Sequence, residues 1–444
     1  EMDIKITYTN IWKVAYPMIL GSLSNSLLNV VDTAFVGRLG PVALGATAIG
    51  ATYYLIFSLL CIGLASGAQI VIARRFGEKE YHSIGEIFVQ NGYLMTLFGV
   101  GLMLFLEMLS PIILRSIIAS DSVYTQTITF TSYRSWGIVF VALYSVYSSF
   151  FIGISRTKVL SYATMIMTGV NIVLDYGLVF GNLHMPKMDI GGAGLASAIA
   201  ELMAFLFIVF YTKVQVDTKQ YSLYHFTHWK WSLVLKNISL GYPVMFQYLM
   251  SLGSWFMFFI IIEKLGSEAL AVSNILRSLL LLFMMPIWGL STTANTFTSN
   301  LIGQRKSSLI PILFRKLTTI ALVLVLLFAP FVFFAPQLLS QIYTDDAHLI
   351  SEASKIIWLV YITMLTFMPG VSLNNTLSGT GDTKSAFVIE LFSTMIYLAY
   401  TYLVAIYFGL PIAFIWGAEF IYWFFIGFFS YHRLKSRKWK LIRV

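Results

Sequence analysis

A small set of polar residues lies inside otherwise apolar stretches of this sequence. Asp32 and Asp175 carry carboxylates, and Asn171 shares a helix face with Asp175 because the two are four residues apart. Ala193 and Ser197 have the same spacing further along the chain. Carboxylate, amide and hydroxyl oxygens suit a hard cation such as Na⁺. Neighbouring carboxylates in a medium of low dielectric also hold a proton readily, so the residue types predict a site for either ion.

The composition places these residues in membrane-spanning helices. Hydrophobic residues make up 58% of the 444 residues and charged residues 11%, whereas a soluble domain carries about 25% charged residues. Apolar stretches of about 20 residues, enough to cross a bilayer, recur along the chain. We therefore predict an all-α polytopic membrane protein with twelve transmembrane helices. Their predicted ranges are 12–37, 43–73, 84–109, 122–152, 159–181, 190–213, 236–262, 269–299, 309–336, 348–377, 385–408 and 411–432.

The distribution of Lys and Arg predicts an orientation. If the N-terminus, the loops after even-numbered helices and the C-terminal tail share one face, that face holds 22 of the 29 Lys and Arg residues and the opposite face holds five. Because basic loops remain in the cytoplasm, we predict that both termini are cytoplasmic and that the membrane is the cell inner (plasma) membrane. The basic tail is expected to set this orientation and to attract anionic lipids.

The two halves of the chain repeat at a constant offset of 226 residues. Pro17 matches Pro243 and Gly77 matches Gly303, and no gap is needed in between. Six helices per half imply two bundles with the same orientation, related by a pseudo-twofold along the membrane normal, and rocking between the bundles would give alternating access. The predicted boundaries are 1–213 for the N-lobe, 214–235 for a cytoplasmic linker, 236–432 for the C-lobe and 433–444 for the basic tail.

The repeat assigns the polar set to one half of the chain. On the predicted helices, Asp32, Asp175 and Ser197 all lie about 9–11 Å below the outer surface, at a rise of about 1.5 Å per residue. The residues 226 positions after Asp32, Asn171 and Asp175 are Phe258, Tyr397 and Thr401. The alternative, a set that only joins helices through hydrogen bonds, would be expected in both halves. We therefore interpret the set as a cation-coupling site in the N-lobe.

Other polar and helix-breaking residues are weaker candidates for substrate binding or gating. Arg277 is predicted to be buried and either to pair with a carboxylate or to face a cleft. Pro17 permits a kink in the helix that carries Asp32, so cation binding is expected to change the bend of that helix. For the glutamates of the last two helices, hydrogen bonding between helices is the alternative. The candidates are Pro17, Tyr133, Arg277, Gln247, Glu390 and Glu419.

Several strings of the sequence resemble the multidrug and toxic compound extrusion (MATE) family. They comprise Pro17 to Gly40 with Asp32 and FVGRLG, the repeated VALGATAIG and EALAVSNI, ANTFTSNLIGQ, GISRTK at 153–158, and NTLSGTGDTK at 375–384. The resemblance covers nearly the whole chain. It implies two bundles of six helices that export cationic and amphiphilic drugs against Na⁺ or H⁺.

The spacing of Asp32 with Asn171-x₃-Asp175 resembles the DinF-like branch of that family. This resemblance implies that these three side chains, the Ser197 hydroxyl and the Ala193 carbonyl form the cation site, with Na⁺ as a possible ligand. Members usually have Thr where this chain has Ser197, which keeps the oxygen. The NorM-like branch carries a glutamate in helix 7 at a position that is Ser251 here, with Gln247 nearby.

Together these features predict a secondary active antiporter that exports amphiphilic, often cationic, small molecules in exchange for H⁺ or Na⁺. We expect no enzymatic activity, because no nucleophile–base pair or metal cluster lies at matched depth, and no cofactor beyond the coupling ion. The expected partners are the lipid bilayer and a small amphiphilic substrate, with no nucleic acid, and the protein is expected to be a monomer. The alternative is a flippase for lipid or polyprenyl-linked substrates, a class that tends toward additional helices and a basic cavity.

Overall fold

The computed structural model describes residues 6–442, and helices make up most of this range. The first half contains α1 (Tyr8–Gly37), α2 (Pro41–Glu78), α3 (Tyr81–Met108), α4 (Ser110–Ile117), α5 (Asp121–Ser135), α6 (Gly137–Gly153), α7 (Lys158–Phe180) and α8 (Asp189–Gln215). The second half contains α9 (Trp231–Glu263), α10 (Ser267–Gly303), α11 (Ile310–Leu326), α12 (Ala329–Phe334), α13 (Pro336–Gln341), α14 (Ala347–Ile362), α15 (Met364–Gly379), α16 (Thr383–Tyr402) and α17 (Ile412–Lys435). The part of the chain that the structure describes contains no β-strand.

The helices confirm the predicted all-α membrane fold. Eleven helical segments in the described range are long and apolar enough to cross a membrane, and in two of these segments α11 continues into α12 and α14 into α15. A twelfth span forms from α5 and α6, which meet at a bend of 42°. The span count therefore agrees with the twelve predicted helices when the bent pair is counted as one.

The bend between α5 and α6 differs from the prediction of a continuous helix over 122–152. The break falls at Trp136, and Gly137 begins the next helix. A Cβ atom on Gly137 would lie 1.9 Å from Glu201 Oε2 and 2.9 Å from the Tyr54 hydroxyl. Gly137 is therefore required for the close approach of these two side chains, a tertiary requirement that hydrophobic periodicity does not report.

The sequence repeat is also a structural repeat. Gly40 and Gly266 are 226 residues apart, and each precedes the second helix of its half, with φ values of 110° and 111°. Such φ values strongly favour glycine, because a Cβ atom would be strained there. The same backbone turn therefore leads into α2 and α10, as the sequence repeat requires.

The described residues form two compact units, and the divisions fall inside α1 and α9. One unit spans Leu20–Met245, and it contains a buried apolar cluster that includes Val36, Phe130 and Val179. The other combines residues 6–19 with 246–442, around a larger core that includes Phe283 and Phe367. We call these the N-unit and the C-unit. The lobe and linker boundaries given above stay predictions.

Candidate functional site

Four side chains that the sequence singled out lie together in the N-unit. In the amide orientation that satisfies both of its ends, Asn171 Nδ2 on α7 donates to Asp32 Oδ1 at 2.7 Å and to Asp175 Oδ2 at 3.2 Å. Asn171 Oδ1 accepts from Ser197 Oγ on α8 at 3.1 Å and lies 3.2 Å from Ser197 N. Helices α1, α7 and α8 thus converge on one amide, whose two ends hold the carboxylates and the hydroxyl. We call these four residues the N-unit network.

The N-unit network is buried yet retains free acceptor capacity. Asn171 and Asp175 are buried with 0% and 1% exposure, and Asp32 is partly exposed. Asp175 Oδ1 has no hydrogen-bond partner among the described residues, while the two carboxyl groups are close enough to interact electrostatically. A buried carboxylate with an unused oxygen is costly in a membrane unless a proton or a cation occupies it. The arrangement can therefore accept either ion.

Ala193 lies one helical turn before Ser197, in the buried apolar cluster of the N-unit. In a regular α-helix, the amide of Ser197 donates to the carbonyl of Ala193. Because Ser197 N also lies 3.2 Å from Asn171 Oδ1, this amide is shared between the helix and the network. The carbonyl of Ala193 is thus next to the network, and its predicted role as a ligand stays a prediction.

A second set of polar residues, which we call the Arg134 triad, lies next to this network. Arg134 Nη2 on α5 pairs with Glu201 Oε1 on α8 at 3.0 Å, and the Tyr54 hydroxyl on α2 donates to Glu201 Oε2 at 2.8 Å. The guanidinium carbon lies 4.3 Å from the centre of the Tyr54 ring. Arg134 also attracts the carboxylates of Asp32 and Asp175 electrostatically. A fixed positive charge therefore stands beside the two carboxylates.

The sequence only partly signalled the Arg134 triad. Glu201 follows Ser197 by four residues, as Ser197 follows Ala193, and Arg134 is a charged residue within the predicted helix 122–152. Tyr54 gave no signal, because it meets Glu201 from a helix that is 147 residues away in sequence. The candidate next to Arg134, Tyr133, is 40% exposed, and its ring packs against Gly191 of α8 rather than joining the triad.

The C-unit brings together two of the other candidates, Glu390 on α16 and Glu419 on α17. Glu390 accepts hydrogen bonds from the Tyr422 hydroxyl and, at 2.8 Å, from Ser251 Oγ. Glu419 accepts from the Tyr397 hydroxyl at 2.9 Å. The rings of Tyr397 and Tyr422 lie 5.4 Å apart, so the two carboxylates belong to one aromatic cluster. We call these five residues the C-unit cluster.

The remaining candidates are not part of either group. Arg277 on α10 is half-buried rather than buried as predicted, and it lies over the Phe259 ring at 4.9 Å; no ion pair to it occurs within residues 6–442. The burial prediction was wrong because Arg277 can place its charge beside an aromatic face instead of a carboxylate. Gln247 on α9 has a buried Nε2 without a partner in the described part of the C-unit. Pro17 lies inside α1 and is buried.

No cluster of three or more His, Cys, Asp or Glu side chains that could hold a metal ion occurs in the described chain. The N-unit network offers two carboxylates, an amide and a hydroxyl instead, an oxygen-donor set that suits Na⁺ or a proton better than a transition metal.

Two sequence repeats and up to twelve apolar spans within residues 6–442 are typical of a polytopic membrane protein. The family model described as MatE matches residues 17–177 and 243–403, so its two segments begin and end 226 residues apart. Because these matches cover most of the chain, the chain belongs to the MATE family of transporters.

Similar proteins from bacteria agree with this assignment. The chain is 25% identical over 392 residues to a probable multidrug resistance protein NorM of Idiomarina loihiensis, covering 87% of this chain and 84% of the relative. It is 23% identical over 385 residues to a protein of the same name from Shewanella oneidensis, covering 86% and 83%. These similarities do not resolve the DinF-like branch, which stays a prediction.

Solved structures show the same fold. An outward-facing multidrug resistance MATE family transporter of the MOP superfamily aligns with a TM-score of 0.89 and 20% identity, over 98% of this chain and 97% of that one. A MOP superfamily transporter from Pyrococcus furiosus, described as having a binding pocket of reverse polarity, aligns with a TM-score of 0.87 at 20% identity, over 98% and 96%. At this level of identity, the likeness concerns the fold.

Proposed function

We propose that this protein is a secondary active antiporter that exports amphiphilic, often cationic, small molecules in exchange for H⁺ or Na⁺. The observation that carries this proposal is the N-unit network, in which one amide bridges two carboxylates and leaves Asp175 Oδ1 without a partner in the described chain. The relatives are named as multidrug resistance proteins, which supports small molecules as the exported substrates.

Coupling follows from the charge of the two carboxylates. When both are ionised, they repel each other and attract a cation, with the guanidinium of Arg134 as the nearest fixed positive charge. Binding of one proton or one Na⁺ removes that repulsion, and the packing of α1 against α7 and α8 changes with it. Transport is coupled when the cation and the substrate prefer different conformations of the protein.

The ion gradient drives the exchange, and the membrane potential contributes when net charge moves. Exchange of one cation for one neutral substrate moves one charge, which across 100 mV supplies about 2.3 kcal/mol and corresponds to roughly 50-fold accumulation of substrate. A monocationic substrate exchanged one for one draws on the ion gradient alone. We place the protein in the cell inner membrane with both termini in the cytoplasm. The 22-to-5 distribution of Lys and Arg between the two faces supports this orientation. A reporter enzyme fused after Val444 that is active only in the cytoplasm tests this orientation.

The central experiment uses purified protein in liposomes loaded with ethidium, a fluorescent amphiphilic cation. Inward H⁺ and Na⁺ gradients are imposed separately, and efflux is followed for the wild type and for Asp32→Asn. The matched control is Asp121→Asn, which makes the same chemical change at an exposed carboxylate that pairs with Arg115 at 2.5 Å outside the network. We expect efflux driven by one gradient in the wild type and the control, and loss of that efflux in Asp32→Asn.

Two outcomes would contradict the proposal. Gradient-driven efflux that survives in Asp32→Asn would move the coupling site away from the N-unit network. If neither gradient drives ethidium or a panel of other amphiphilic cations, while a fluorescent phospholipid crosses between leaflets, the flippase alternative would replace antiport of small molecules.

A further inference from the structure

A cavity of about 670 Å³ lies in the C-unit between the beginning of α16 and the end of α17. Lys384, His432, Arg433 and Lys438 line its rim, and Val388, Phe392 and Phe429 are among the apolar residues of its wall. None of these residues takes part in the N-unit network or the C-unit cluster. The cavity is therefore separate from the groups used for coupling.

The rim carries an excess of positive charge. Arg433 Nε pairs with Oδ2 of the buried Asp382 at 2.7 Å. The charges of these two side chains therefore cancel. The side chains of Lys384 and Lys438 have no ion pair within residues 6–442. The rim therefore presents about two unbalanced positive charges, which attract an anionic group.

The second lysine is fixed at the rim by the fold of the tail. After α17 ends, Arg437 has a φ of 57° and reverses the chain into a short turn, Lys438–Leu441. Trp439 in this turn is 7% exposed, and its Nε1 donates to Leu434 O at 3.0 Å. The burial of Trp439 thus holds Lys438, whose own side chain is exposed, at the lining of the cavity.

The apolar wall favours a lipid over a free anion. Val388 and Phe392 are 45% and 54% exposed on α16, and Phe392 lies eight residues after Lys384. At a rise of about 1.5 Å per residue, the cavity extends about 12 Å along α16, from its charged rim to the apolar part of this helix. A phosphate alone would contact only the rim, while the exposed aromatic wall would remain without a partner.

We propose that this cavity binds one anionic phospholipid, with the phosphate at Lys384 and Lys438 and the first part of the acyl chains against Phe392 and Phe429. Basic pockets between transmembrane helices are suited to anionic head groups because the charge is paired while the chains stay in hydrocarbon. The two lysines and the buried Trp439 make the pocket a defined site rather than a diffuse basic surface.

The test is a titration of the full-length protein in detergent with phosphatidylglycerol, in which native mass spectrometry counts the bound lipids. We expect one tightly bound phosphatidylglycerol, and binding about 25-fold weaker in Lys384→Gln/Lys438→Gln, because each basic residue near an anionic lipid contributes about fivefold. The matched control is Lys435→Gln/Lys440→Gln, which removes the same charge from two tail lysines that do not line the cavity. This control should bind as the wild type does.

Three results would overturn the proposal. Phosphatidylcholine bound as tightly as phosphatidylglycerol would show that the charge is irrelevant. Glycerol 1-phosphate that binds with the same affinity would show a site for a free anion. An equal loss in both double variants would show diffuse attraction. Lys384→Arg/Lys438→Arg keeps both charges and should retain binding. This variant tests the role of charge even if the glutamine variant does not fold.

Discussion

The two units place different chemistry at equivalent positions of the same repeat. The residues 226 positions after Asp32, Asn171, Asp175, Ala193 and Ser197 are Phe258, Tyr397, Thr401, Glu419 and Trp423. Where the N-unit joins two carboxylates through an amide, the C-unit stacks Phe258 on Tyr397 at 5.6 Å with the ring planes 23° apart. The repeated helices thus support a polar network in one unit and aromatic packing in the other.

Glu419, one of the two acids of the C-unit cluster, has a different position and different partners from the acids of the N-unit network. Glu419 takes the place equivalent to Ala193, and it is bonded by the Tyr397 hydroxyl rather than by an amide. Its carboxylate also interacts with the side chains of Trp255 and Trp423, so aromatic donors surround it. A tyrosine donates one hydrogen bond and cannot link two carboxylates as an amide can. The comparison predicts that changes in the N-unit network alter coupling, while changes in the C-unit equivalents mainly alter stability.

The largest contrast is expected between Asp175 and its equivalent, Thr401. Asp175→Asn should reduce gradient-driven ethidium efflux to the level of protein-free liposomes, because a neutral amide cannot exchange a proton and binds a cation weakly. Thr401→Val removes a hydroxyl that donates only to the backbone carbonyl of Tyr397, at 2.8 Å, and should leave efflux within about twofold of the wild type. Equal losses in the two variants would place coupling in both units.

The Arg134 triad should show the largest effect on stability. Glu201→Gln removes the carboxylate that pairs directly with Arg134. Breaking a fully buried ion pair costs about 3–5 kcal/mol, and this is an upper value here because the Arg134 side chain is 18% exposed and also attracts Asp32 and Asp175. Thermal unfolding in detergent, followed by the loss of monodisperse protein, measures the change. Arg134→Gln/Glu201→Gln should recover much of the melting temperature, because both charges are then absent. A double variant as unstable as the single one would mean that hydrogen bonding, not charge balance, holds the triad.

The aromatic equivalent of Asp32 should matter less for stability and not at all for ion choice. Phe258→Leu keeps an apolar side chain of similar volume, a kind of change that costs less than about 1.5 kcal/mol, but it loses the contacts with Tyr397 and with Trp416, which lies 5.3 Å away. We expect a lower melting temperature and an unchanged preference between H⁺ and Na⁺. A changed ion preference would indicate that the C-unit cluster participates in coupling.

Residue types and helical spacing predicted the N-unit network because its members lie on long regular helices, where spacing in the sequence fixes the face of the helix. The same periodicity could not predict the break at Trp136, which adjoins the glycine that Glu201 approaches closely. Contacts between helices that are distant in sequence were equally hidden, as for Tyr54, and so was the turn that buries Trp439. A sequence pattern reports the direction of a side chain, whereas its partner depends on how neighbouring helices pack.

The smallest expected contrast involves one hydroxyl from each unit. Ser197 Oγ lies 3.1 Å from the Asn171 amide oxygen, and Ser251 Oγ donates to Glu390 at 2.8 Å. Replacing either serine by alanine removes one hydrogen bond, at a cost of about 0.5–1.5 kcal/mol, so both variants should melt slightly below the wild type. Only Ser197→Ala should raise the cation concentration needed for half-maximal efflux, because Ser197 orients the amide that holds both carboxylates.

Ser197→Thr provides the control for this last comparison, since it keeps the hydroxyl and should restore the cation dependence of the wild type. Ser251 is different, because Glu390 also accepts a hydrogen bond from the Tyr422 hydroxyl and therefore keeps a donor in Ser251→Ala. If Ser251→Ala shifts the cation dependence as strongly as Ser197→Ala does, the C-unit cluster titrates during transport. The division between a coupling unit and a packing unit would then be wrong, although the two would still share one repeated backbone.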